Sequence, residues 1–570
     1  MGAGAFLLLM KKLRWQFLII IITLIIVGVL LVTQEPGQQI FLPQPASGGV
    51  YSEALVGSIS RLNPLLEQNN APDRDVNRLI FSSLLRFDAR GLPVPDLASA
   101  MGVSQDGTIY NVSLRENAYW HDGQPVTAED VLFTIEMIKD DSSFFPADVR
   151  ELWKKIEIKQ LNQYTLQFIL PEPFAPFFDY LTFGIVPRHI LEGTPAAEMA
   201  AAPFNLSPIG SGPYKFDRLI VENGQVAGLE LSLFDRYYGS SAFIEKVVFR
   251  YFPNSQSALE AYREGEVLAI SEVSLDVLNQ ALAIPGLSSY SGRLPEMSMV
   301  LLNLNNPEKT FLQDEKLRRA LLTGLNRQRI IDRFLLGQGI IADGPIFPGT
   351  WAFYDGIERV VYDPEAAINM LKANGYTIPA EGGTVRADKD GNPLKITLIH
   401  PDDALHSAIA QYIFENWRDL GVEVTLEALP YEQLVNDRLN TRNYDAALVD
   451  MNLARTPDPD PYPFWHQSEA VGGQNYSQWD NRTASEFLEQ ARTNTDYTVR
   501  TRLYRNFQVV FAKELPALPL FYPVYSYAVD QQVLGVQVPP LFDTSDRFQT
   551  FASWYLVTRR APEPTVAVTD

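Results

Sequence analysis

The residues with the most binding chemistry in this chain lie together between Asp450 and Trp465. There Arg455, Asp458, Asp460, Tyr462, Phe464 and Trp465 alternate with Pro457, Pro459, Pro461 and Pro463. A guanidinium, two carboxylates and three aromatic rings supply ion pairing, hydrogen bonding and flat apolar contact. Each proline removes a backbone donor and fixes φ, so the segment is expected to be extended and stiff, neither helix nor central strand. Just before it, the apolar run Tyr444–Val449 reads as a buried strand. A stiff loop leaving a strand end suits one wall of a binding cleft. The same composition also suits a surface spacer whose rings pack back on their own domain.

Other chemistry is thin. The five histidines, at 121, 189, 400, 406 and 466, form no pair at zinc-ligand spacing, which points to structural or surface roles. With no cysteine, thiolate metal sites, disulfides and a thiol nucleophile are excluded. No Gly-x-Ser-x-Gly elbow or phosphate loop occurs. Gly337-Gln338-Gly339-Ile340-Ile341-Ala342 follows a helical pattern and leads into Gly344-Pro345, so it is not a dinucleotide fingerprint. No cofactor, metal or catalytic residue is called for.

The elements that must position the loop belong to a chain too long for one core: 570 residues imply two or three domains. A hydrophobic content of 46% allows well-packed cores, and a net charge of -21 argues against nucleic acid. Near the start, Lys11, Lys12 and Arg14 precede an apolar run from Trp15 to Thr33. A helix of that length, at ~1.5 Å per residue, just spans a bilayer core of about 30 Å. The flanking charges place the bulk of the chain outside the cytoplasm, and no small-x-small cleavage site follows. An uncleaved anchor is expected at 15–33, a basic cytoplasmic end at 1–14, and a linker at 34–50. Val557–Asp570 reads as a frayed tail, assigned as a flexible segment at 559–570.

Between these ends, helical spacing covers Asp73–Leu85, with Val76, Leu79, Ile80, Leu84 and Leu85 inward. Trp120-His121-Asp122-Gly123-Gln124-Pro125 is turn chemistry. Thr127 then caps a helix from Ala128 to about Lys139, with Asp130 as the capping-box acid. Asn326 caps another helix, and Asp363-Pro364-Glu365 opens a third that Gly375 ends. Strand and helix patterns alternate from Lys395 to Val449, as in an α/β domain.

Several of these pieces together resemble the bacterial extracellular solute-binding proteins of the oligopeptide/dipeptide/nickel type. They are Leu62-Asn63-Pro64, Trp120 to Val131, Ser207-Pro208-Ile209-Gly210-Ser211-Gly212-Pro213-Tyr214, Leu317 to Leu321 with Asn326-Arg327, Tyr362 to Ala367 through Gly375-Tyr376, and Leu518 to Phe521. The resemblance implies a two-lobed α/β periplasmic-binding fold of the hinged type II, with a family-specific extra domain. The lobes are assigned as 50–91, 204–305 and 523–558 for the first, 306–522 for the second, and 92–203 for the extra domain. It further implies a monomer that takes a ligand, foremost a peptide, between its lobes and hands it to the permease of an ATP-driven (ABC) importer. In peptide-carrying relatives an aspartate four residues before a proline of this loop meets the ligand's amino group. Counting back from Pro459 gives Arg455, and from Pro461 gives Pro457. Asp450 or Asp458 then stands in for that acid, or Arg455 meets an anionic group instead. The candidate contacts are Asn63, Trp351, Arg455, Asp458, Tyr462 and Trp465. A sensor or assembly subunit of the same fold is the alternative, and an extracytoplasmic hydrolase the remotest one.

Overall fold

The computed structural model describes residues 15, 18–29, 41–380, 382–452 and 458–562. Ten strands follow one another along a twelve-stranded sheet. From one edge the order is Glu423–Leu429, Lys395–Pro401, Ala446–Asn452, Glu296–Leu302, Ala517–Asp530, Ala269–Ile270, Val50–Val56, Lys246–Phe252, Gln225–Leu233 and Tyr214–Glu222. Leu287–Arg293 and Gly339–Ile341 also pair with Ala517–Asp530. That 14-residue strand joins two bodies. Its first half pairs with Glu296–Leu302, and its second half with Ala269–Ile270 and Leu287–Arg293. A separate antiparallel sheet of four strands, Ala98–Val103, Ile109–Leu114, Thr165–Ile169 and Glu157–Asn162, packs on the first body through one continuous core.

In the second body, side chains alternate between two cores on opposite faces of the sheet. Val300, Leu302, Leu398, Ala446 and Leu448 enter one; Met299, Leu301, Ile399, Ala447 and Val449 enter the other. A strand buried on both faces needs a continuous apolar run, which is what Ala446–Val449 supplies. In the first body, Arg547 is buried between two acids. It donates to Glu53 Oε1 at 2.7 and 3.0 Å and to Asp75 at 2.6 and 2.9 Å. The hydroxyl of Tyr51 donates to Glu53 at 2.7 Å.

The Trp120 and Ser207 motifs meet each other. The backbone N–H of His121 donates to Gly210 O at 2.9 Å, and His121 Nε2 lies 3.1 Å from Gly212 O. A Cβ on Gly210 would fall 2.0 Å from Ile80 O, so only glycine lets this turn approach the end of helix Ala71–Ile80. The helix expected to reach Leu85 stops at Ile80, where Phe81 turns extended and Leu85–Phe87 becomes a short strand. Helix Ala128–Lys139 begins as expected, with the Asp130 carboxylate accepting the Thr127 N–H at 2.8 Å.

At the ends of the chain the structure departs from the expected linker and tail. Phe41–Ala46 and Val557–Pro562 form a two-stranded antiparallel ribbon, with Phe41 opposite Pro562 and Ala46 opposite Val557. Prolines are tolerated in such a ribbon because each strand has a free edge. Of the expected anchor, Trp15 and residues 18–29 are helical and, apart from half-buried Gly28, exposed. The rest of it, with residues 1–14, lies outside the described residues. Among the described residues no helix is long and apolar enough to cross a membrane.

Candidate functional site

The proline-rich segment departs from the end of strand Ala446–Asn452. Residues 453–457, including Arg455, lie outside the described residues. From Asp458 onward the segment is not wholly extended, because Tyr462–Trp465 forms one helical turn capped by Pro461. Proline at a first-turn position costs a helix no hydrogen bond, so Pro463 is compatible with that turn.

Asp458 anchors the segment. Its carboxylate pairs with Arg500 Nη1 at 2.6 Å, and both side chains are 1% exposed. Arg500 lies in helix Tyr497–Glu514, whose first turn is capped by Asp496, and it donates to Ala491 O at 2.8 Å and Tyr504 Oη at 3.1 Å. Tyr504 is one turn further along the same face. The Arg500 guanidinium also sits 4.9 Å from the ring of Trp351, which meets Tyr497 edge-on at 5.0 Å. Taking a charged pair this far from water is costly, and the surrounding donors and rings offset that cost.

The other partner of Asp458 comes from a distant part of the chain. Its backbone N–H donates to Asp179 Oδ2 at 2.9 Å. Asp179 belongs to the 3-10 helix Ala175–Leu181, on the four-stranded-sheet side of the molecule. Next to this contact, Asp460 pairs with Arg492 at 3.1 Å. The Arg492 guanidinium lies 5.3 Å from the ring of Phe174 and 4.3 Å from that of Tyr462. Three acids thus meet two guanidiniums in a buried space. Burial drives the Asp179 carboxyl well above the usual carboxylate range, and the charge of Asp458 pushes the same way. Asp179 therefore holds a proton where an exposed carboxylate would not.

A second polar centre stands at the end of the same strand. His406 Nδ1 is 2.6 Å from Asp403 and its Nε2 is 3.0 Å from Asp450, which also accepts the hydroxyl of Ser298. Burial opposes charge on His406, but its bonds to Asp450 and Asp403 prevail and raise its pKa. The side chain of Asp450 remains 44% exposed.

The candidates from sequence are distributed unevenly. Trp351, Asp458 and Tyr462 converge on Arg500 and Arg492. Tyr462 stacks flat on His466, with ring centres 4.0 Å apart. Trp465 is buried edge-on against Phe511 at 4.8 Å, in the second body's core. Asn63 is fully buried and turned inward, donating to Asn205 at 3.0 Å and accepting from the Leu65 N–H. Asp179, Arg492, Arg500 and His406 were not singled out as site residues from sequence. Only the i, i+4 pair Arg500 and Tyr504 offered a local signal. Among the described residues no cluster of three His, Asp or Glu side chains is arranged to hold a metal ion.

Two α/β bodies share a crossing strand, and a loop of the second is held against the four-stranded-sheet side of the first. The chain belongs to the bacterial extracellular solute-binding proteins of family 5, whose model matches residues 93–474. These are binding proteins rather than enzymes. The chain is 26% identical to the oligopeptide-binding protein AppA of Bacillus subtilis, over 88% of this chain and 91% of that protein. It is 25% identical to the dipeptide-binding protein of Escherichia coli, over 82% and 90%. Its fold matches the structure of HbpA2 from Haemophilus parasuis with a TM-score of 0.75, at 20% identity, covering 87% of this chain and 99% of the other.

Removing one partner of the buried pair leaves an uncompensated charge, so Arg500→Met should destabilise the protein by about 3–5 kcal/mol. Asp458→Asn added to it should recover part of that loss, as read from urea unfolding of both variants. The raised Asp179 carboxyl gives a second expectation. The folded state binds a proton that the unfolded state has released, so this group's stabilisation is present at low pH and declines as pH rises above about 4. Wild type should therefore lose stability relative to Asp179→Asn by up to about 1.4 kcal/mol per pH unit as pH rises above about 4. A difference that stays flat over that range would mean the carboxyl is ionised throughout.

Proposed function

We propose that this protein is the extracytoplasmic receptor of an ATP-driven importer, capturing a peptide between its two bodies and delivering it to the permease. The observation that carries the reading is the bond from the Asp458 N–H to Asp179, which ties the proline-rich loop to a segment 279 residues earlier. A loop that closes on the opposite body suits ligand enclosure, since closure is a shift toward the state that makes more contacts. The curated relatives named for oligopeptide and dipeptide binding support peptide as the ligand. In this reading the lobes are 50–91, 204–305 and 523–558 against 306–522, with 92–203 as the extra domain.

The division of labour follows from burial. Asp458 is committed to Arg500 and serves to position the loop. Asp450, half exposed beside His406, is the acid for the ligand's amino group. Arg455 meets an anionic group of the ligand, and Trp351 and Tyr462 wall the space. Asn63 and Trp465, turned into their own cores, hold its walls in place.

Calorimetry with trialanine and N-acetyl-trialanine tests both levels of this reading. Trialanine should bind, the acetylated form should bind about ten-fold more weakly, a difference of ~1.4 kcal/mol, and Asp450→Asn should erase that preference. Equal binding of the two by wild type would remove the amine role of Asp450. No binding of either at millimolar concentration would remove the peptide reading.

The helical segment at 18–29, preceded by Lys11, Lys12 and Arg14, supports tethering by an N-terminal membrane helix. Full-length chain should then stay with membranes washed in alkaline carbonate, and a chain lacking residues 1–40 should be released. Release of both would exclude the anchor.

A further inference from the structure

Apart from the Asp458 and Asp450 centres, the second body carries a cavity of 670 Å³ against the strand crossing. That volume is within the range of about 300–1,000 Å³ of small-molecule sites. Its floor is Tyr522, fully buried with its hydroxyl donating to Gly344 O at 2.7 Å. Ile340 lies directly opposite Tyr522 on the edge strand Gly339–Ile341, and Arg293 lies opposite Val524 on the strand from the first body. Residues directly opposite in a ladder share a face, and so do positions two apart. Ile340, Tyr522 and Arg293 therefore project on one side of the sheet, into the same space. Ile357 and Val360 add an apolar wall.

The charges around this space do not cancel. Arg293, Arg327 and Arg359 line it with Asp343 and Asp355. Arg327 is spent: it pairs with Asp343 at 3.0 Å and donates to the carbonyl oxygens of Val360 at 2.6 Å and Pro519 at 3.2 Å. Arg359 pairs with Asp355 and lies 3.9 Å from Asp343. Three guanidiniums and two carboxylates leave one positive charge, and Arg293 is the one with no carboxylate within salt-bridge distance among the described residues. In a chain of net charge -21, a cavity with a surplus cation beside an apolar wall is selective by sign.

We infer that this cavity binds a small monocarboxylate with an apolar body, its carboxylate on Arg293 and its body against Ile340, Ile357 and Tyr522. One guanidinium balances a carboxylate in a forked pair, whereas a doubly charged phosphate would remain half neutralised. Arg293 belongs to a strand of the first body and Ile340 to one of the second, so the ligand would brace the crossing between them.

Calorimetry with phenylbutyrate, and with phenylbutanol as its uncharged counterpart, tests the site. Phenylbutyrate should bind at least ten-fold more tightly than the alcohol. Arg293→Gln, an exposed change, should abolish that preference while leaving the melting temperature unchanged. Ile340→Trp should fill the space and weaken both ligands. Equal affinity for acid and alcohol, or an undiminished preference in Arg293→Gln, would overturn the inference, as would no binding of the acid at millimolar concentration. Trialanine binding should persist at saturating phenylbutyrate, because the two sites share no residue. Competition between the two would place the acid in the peptide cleft and also overturn the inference.

Discussion

The strand Ala517–Asp530 obliges the two bodies to share one hydrogen-bonded ladder. Its residues up to Phe521 are held by the second body and those from Val524 onward by the first. A backbone paired on both sides cannot slide, because a shift of one residue would turn every buried side chain to the wrong face. The bodies are joined near Pro523 and at the neighbouring antiparallel crossing between Arg293 and Glu296. Everything that meets across the gap inherits its alignment from this constraint.

The clasp at Asp458 is polar rather than apolar, and that has a physical sense. Two greasy faces would close on each other without a guest. A buried contact built from Asp179, Asp458, Asp460, Arg492 and Arg500 carries a desolvation cost close to its electrostatic gain. Such a contact specifies where the faces meet at little net gain in stability.

Local signals in the sequence were legible and distant ones were not. Asp130 bonded to the Thr127 N–H, the Asp363 cap with Pro364, and the run before Asp450 all rest on neighbours within a few residues, and each appears in the structure. The prolines between 457 and 463 signalled stiffness, but they also permit a first helical turn, and Tyr462–Trp465 takes it. Leu84 and Leu85 continued a helical spacing by coincidence, since the helix has already ended at Ile80. Asp179 and Arg500 carry no sign of each other, because their juxtaposition depends on how separate bodies dock. The ribbon Phe41–Ala46 with Val557–Pro562 was missed because a two-stranded ribbon without a buried face imposes no alternation on its residues.

The salt-bridged triad of Glu53, Asp75 and Arg547 has a consequence for biosynthesis. Among the described residues the buried cation that pairs with both acids, Arg547, follows Glu53 by 494 residues and Asp75 by 472. Until Arg547 arrives, the first body can bury Glu53 and Asp75 only at a desolvation cost, so its completion is favoured once the distant cation is in place.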